Sequence, residues 1–135
     1  MQRVEVGQGD RRRPPVANGP IAELLLGADG DTRFGVAHIV VPPGAGMPAH
    51  DHGVSETLLV GLSGRARLAE AESGGATVEL QAGAIATIPV GRRVTLENAA
   101  DDEAHLLAIF SPADFAARIA DWPADVDQRP LTRTT

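Results

Sequence analysis

Residues Gly44 to Gly64 read GAGMPAHDHGVSETLLVGLSG, and the spacing within this stretch decides the fold. Two histidines one residue apart, His50 and His52, are followed four positions later by Glu56, in a segment that reads as β-strand. Alternate side chains of a strand share a face. One face then carries His50, His52, Val54, Glu56, Leu58, Val60 and Leu62, and the other Asp51, Gly53, Ser55, Thr57, Leu59, Gly61 and Ser63. The first face is two imidazoles, a carboxylate and aliphatics. That donor set suits a divalent transition metal with open coordination positions.

The stretch resembles the first motif of the cupins, commonly written G-x5-H-x-H-x(3,4)-E-x6-G, with Gly44, His50, His52 and Glu56 falling on it. The closing glycine is Gly64, one residue beyond the short spacing, and in the long-spacing form the place of Glu56 is taken by Thr57. The second cupin motif, G-x5-P-x-G-x2-H-x3-N, is matched by Gly83, Pro89, Gly91 and Asn98 within GAIATIPVGRRVTLEN. Its histidine, usually the fourth metal ligand, is replaced by Val94. The resemblance covers roughly residues 20 to 112. It implies an all-β, cupin-like double-stranded β-helix (a jelly-roll barrel), here followed by a short C-terminal helix. It implies little about the reaction, because such a fold hosts many chemistries.

Outside the motifs, the chain alternates short apolar runs with Gly and Pro, which reads as a β-sandwich or barrel. Predicted strands are Ile21–Leu26, Thr32–Val41, Glu56–Leu62, Arg65–Glu70, Ala76–Leu80, Ala84–Ile88, Arg93–Glu97 and Ala104–Phe110. Residues 1–19 read as an N-terminal arm or first strand, with Arg11–Arg13 solvated, residues 20–112 as the barrel, and 113–135 as helix and tail. Ser111, Pro112 and Asp114 read as a helix start. The helix is expected to run to about Trp122, with Phe115 and Ile119 on its packing face. Ala124 to Thr135, polar and proline-interrupted, reads as a mobile tail.

With 135 residues the chain is long enough for one cored domain. It has no cysteine, so disulfides, thiolate metal sites and a cysteine nucleophile are excluded. It has no lysine and no phosphate-loop pattern. A net charge of -6 and very few aromatics argue against a nucleic-acid partner. No run approaches the roughly 20 apolar residues of a membrane span, and a cytoplasmic location is the expectation.

Iron, manganese, nickel or zinc would accept His50, His52 and Glu56, with Glu56 also available for proton transfer where it is not a ligand. His38 and His105 are candidate further ligands, although each reads singly as a hydrogen-bonded strand histidine. Val94, Leu96, Leu58 and Val60 are expected to form the pocket wall. The leading expectation is a metal-dependent dioxygenase or isomerase acting on a small, largely apolar molecule. The alternative is a non-catalytic small-molecule-binding or regulatory cupin, and a third reading is a purely structural barrel. Strands apolar on both faces, such as Phe34–Val41 and His105–Phe110, need cover on both, which predicts a homodimer.

Overall fold

The computed structural model describes residues 1–126. Ten strands and one helix are formed there: β1 Asp10–Arg12, β2 Ile21–Leu26, β3 Gly35–Val41, β4 Gly46–His50, β5 Glu56–Ser63, β6 Arg65–Glu70, β7 Thr77–Gln81, β8 Ile85–Ile88, β9 Val94–Glu97, β10 Ala104–Ser111 and α1 Asp114–Ala120. They form a six-stranded sheet in the order β1-β2-β3-β10-β5-β8 and a four-stranded sheet in the order β4-β9-β6-β7. All the pairings are antiparallel. Sequence-distant strands are neighbours, as in the expected jelly roll.

Glycine and one amide set the corners. Gly64, between β5 and β6, has φ +67, and a side chain there would collide with the Glu103 carbonyl. Buried Asn98 donates to the carbonyls of Val41 and Asp102, both at 2.8 Å, and accepts from the Ala100 amide. These bonds pin the β9–β10 turn. Two of the second motif's neighbouring positions, Val94 and Leu96, are buried.

The core lies between the sheets. Leu106, Ala108 and Phe110 of β10 point inward, opposite Gly61, Leu59 and Thr57 of β5. Directly paired residues share a face, so His105, Leu107 and Ile109 point outward with Ser63, Val60 and Leu58. On β3 and β2 the same outward face carries His38 and Val40, Glu23 and Ile21.

Three expectations are corrected. Arg11–Arg13 is no solvated arm: Arg11 and Arg12 lie in edge strand β1 against β2, and Arg12 bridges to Ala124. Ladder hydrogen bonds come from the backbone, so a charged edge strand leaves no apolar alternation to read. The start of the supposed tail is docked as well. The Asp125 side chain is fully buried and accepts from Arg13 Nε at 2.7 Å. Residues 127–135 of that tail lie outside the described residues. Finally, Ser111 closes β10 instead of capping the helix, and α1 begins at Asp114 with no cap from its own side chains. Ser55 takes that part from across the fold, accepting the Phe115 amide at 3.3 Å and donating to the Pro112 carbonyl at 2.7 Å.

Candidate functional site

The two sheets and α1 enclose a cavity of about 50 Å³, room for a few waters or a small organic group. From the four-stranded side come Met47, His50, Val94 and Leu96, and from the six-stranded side Leu59, Ala108 and Phe110. Phe115, Ile119 and Trp122 contribute from α1 and the turn after it. His50 and Val94 are direct cross-strand partners, so the valine stands beside the imidazole.

His50 and His52 meet in this cavity, their ring centroids 4.9 Å apart and nearly perpendicular. His50 Nδ1 lies 2.8 Å from the Pro48 carbonyl oxygen. Only an N–H can face a carbonyl, so Nδ1 is protonated, and Nε2 is where the neutral form of the ring carries its lone pair. His52 is 9% exposed and packs edge-on against Phe115 at 4.8 Å. Its Nδ1 is buried without a hydrogen-bond partner. Burial pushes the His52 pKa down to about 4, with His50 and Arg118 adding to the effect and Asp51 opposing it. The ring is therefore neutral at ordinary pH.

Glu56 does not join them. It is exposed and pairs with Ser111 on the outward face of the sheet. Leu58 and Val60 share that face, so none of these three lines the cavity. The cause lies between His52 and Glu56. Gly53 adopts φ +62, Asp51 Oδ1 accepts the Gly53 amide, and the Ser55 amide donates to the His52 carbonyl. Residues 51–55 therefore form a turn, and alternation counted straight through it loses its parity. The inward positions change from even to odd numbers, which brings Thr57 and Leu59 to the inner face.

Thr57 is 1% exposed, and its strand partners Phe110 and Ile88 both line the cavity. Its Oγ1 is buried without a partner. Strand parity sends Thr57 outward. The available signal was the distance to Gly64, which matches the long-spacing motif and puts threonine in the carboxylate's place. Ser55, also expected outward, is 1% exposed.

His38 and His105 are no spare ligands for the cup. They lie on the outward face of the sheet, bonded to each other at 2.9 Å. Among the described residues, no three His, Asp or Glu side chains are grouped to hold a metal ion. With threonine and valine in the other two ligand places, the donor set does not fit a centre with three protein ligands.

A family model described as a cupin domain matches residues 37–110. No curated protein matches the chain. Among solved structures, a cupin 2 conserved barrel domain protein from Salinispora arenicola CNS-205 is 24% identical, covering 89% of this chain and 96% of the other, with TM-score 0.65. The polyketide cyclase RemF from Streptomyces resistomycificus is 22% identical over 82% of this chain and 79% of its own, with TM-score 0.69. Bacillus subtilis oxalate decarboxylase, described with Mn(II) centres, is 24% identical over 74% of this chain and 28% of its own, with TM-score 0.63. At these identities the likeness is one of fold.

Proposed function

The chain belongs to the cupin domain family, and from that premise we propose that its cup binds one small, neutral, largely apolar organic molecule through a hydroxyl or carbonyl group. The observation that carries this is the buried His52 Nδ1, left without a partner in a ring that lines an otherwise apolar cavity. A buried polar atom without a partner is costly, and a ligand oxygen reaching it would remove that cost. Thr57 Oγ1, equally without a partner, is a second candidate contact. The neutral imidazole has one N–H and one lone pair, so it can serve a ligand acceptor or a ligand donor. The buried His52 ring is neutral at ordinary pH and the lining around it is mostly apolar, so a carboxylate ligand beside it would be desolvated with little compensation.

The second reading is the metal-dependent dioxygenase or isomerase. One observation favours it: His50 presents Nε2 while Nδ1 is fixed on a backbone carbonyl, the arrangement typical of metal-ligating imidazoles. On that reading iron, manganese, nickel or zinc would have only His50 and His52 from this chain.

The test uses Trp122, the sole tryptophan, which lines the cavity. Small phenols and ketones should perturb its fluorescence saturably, dicarboxylates should not, and His52→Ala should weaken binding at least about tenfold. Metal analysis of protein purified without chelators or added metal separates the readings. Stoichiometric metal that His52→Ala removes would overturn the metal-free cup, and turnover of the bound molecule would then make it an enzyme.

A further inference from the structure

Of the residues that line the cup, Ile39, Met47, His50 and Trp122 are half-buried and the rest are buried. Solvent therefore meets the cavity in the gap between β4, which carries Met47 and His50, and the turn after α1, which carries Trp122. From Trp122 a row of rings runs inward. The indole meets Phe115 edge-on with centroids 6.2 Å apart, and Phe115 meets His52 edge-on at 4.8 Å. Trp122 stands at the outer end of the row that leads to the His52 imidazole and its orphaned Nδ1.

The placing of Trp122 depends on a strand far away in sequence. Helix α1 ends at Ala120, and the Trp122 amide still bonds backward, to the Ile119 carbonyl at 2.9 Å. Pro123 has no amide with which to continue the series. The chain leaves along β1 instead. The Arg13 amide donates to the Pro123 carbonyl at 2.8 Å, the Asp125 amide donates to the Arg11 carbonyl at 3.0 Å, and Arg12 and Ala124 pair as an antiparallel bridge. Arg12 makes the bond nearest the indole. It pairs with Ala22, and Ala22 with Ile39, so Arg12 shares the inner face of the sheet with a residue of the gap. Its Nε and Nη2 both donate to Asp10 Oδ2, at 2.9 and 2.8 Å, which fixes the plane of the guanidinium. Nη1 donates to the Trp122 carbonyl at 3.1 Å. A flat fork of N–H groups serves both partners at once, a geometry that a lysine ammonium on its flexible stem does not hold.

We propose that the gap beside Trp122 is the entrance of the cup, that the indole limits the size of the ligand admitted, and that Arg12 positions the indole. The size limit rests on the reading of the cup as a binding site for a small organic molecule, and the positioning does not. Trp122 is thereby a specificity-determining residue. Arg12 acts through it, as a positioning residue on a charged edge strand.

Because Trp122 is the sole tryptophan, fluorescence of the full-length protein reports on that position alone. In the ligand-free protein, Arg12→Lys should raise the acrylamide quenching constant about two- to threefold, at a temperature where circular dichroism shows the barrel intact. Asp10→Asn, on an exposed carboxylate, should act in the same direction and serves where Arg12→Lys loses the fold. Calorimetry with phenol and para-tert-butylphenol tests the size limit. The parent protein should prefer phenol, and Trp122→Ala should shift the ratio of affinities toward the larger phenol by at least about tenfold. Quenching unchanged in both β1 variants would overturn the positioning, and an unchanged affinity ratio would overturn the entrance. If the parent protein binds neither phenol, the cup reading falls and the size limit with it, while quenching still decides the part of Arg12.

Discussion

His52 lines the cup, and Thr57 sits between two strand partners, Phe110 and Ile88, that do. Both are buried, and each leaves one polar atom without a partner. Thr57→Val keeps the shape and removes the orphaned hydroxyl. The ligand-free protein should be as stable as the parent or up to about 1 kcal/mol more stable, while affinity for a hydroxyl- or carbonyl-bearing ligand falls roughly five- to tenfold. Thermal denaturation and Trp122 fluorescence titration check the two halves. Unaltered affinity would remove Thr57 from the contact set. For His52, the folded value near 4 lies below the ordinary 6.5. Between those values the unfolded chain binds more protons, so the penalty is absent above about pH 6.5 and grows as pH falls toward about 4. It reaches roughly 3 kcal/mol at the acid end. The stability difference between parent and His52→Gln should shrink by that order from neutral pH to pH 4 in urea unfolding. A pH-independent difference would mean that His52 is not neutral and buried.

Among the elements, the junction of the 51–55 turn with α1 couples the cup to the rest of the fold. Ser55 joins the turn that follows His52 to the start of the helix that places Phe115 against the His52 ring. Ser55→Ala removes one cap acceptor for the helix and one bond to the Pro112 carbonyl. We expect a loss of about 1–2 kcal/mol in denaturant unfolding, together with weaker ligand binding. Loss of stability with unaltered binding would confine Ser55 to the helix. Strands β2 and β6 occur at the bounds their residues predict, and most others within a few residues, because apolar alternation between Gly and Pro is a local signal. The helix start at Asp114 was legible, but its cap was not, because the capping hydroxyl comes from Ser55, sixty positions before Phe115. Strand β1 was legible only as an arm or first strand within residues 1–19, because it is charged and gives no apolar alternation to bound it.

For the whole molecule, the outward face of the six-stranded sheet poses the association question. Leu58, Val60, Leu107 and Ile109 are half-buried there, and Ile85, paired with Val60, is 65% exposed. Glu23, His38, Ile21 and Val40 are covered within the chain itself. We propose that a second copy covers the remaining apolar row, since contiguous exposed apolar surface commonly marks association. Light scattering at high micromolar concentration should give a dimer mass, and Ile85→Glu should shift it to monomer. A monomeric parent protein would dismiss the dimer. No helix among the described residues is long and apolar enough to cross a membrane.

By itself the sequence determined the jelly-roll class, most of its strands and the convergence of His50 with His52, because motif spacing and turn-forming glycines are local and additive along the chain. Only the tertiary structure decided which face Glu56 and Thr57 take. One turn at Gly53 reverses a parity of two, and no count of residues along the strand registers that reversal. The structure also took His38 and His105 from a supporting place at the cup to a buried chain with Glu23. That assignment depends on which face of each strand meets the other sheet, and strand order alone sets it.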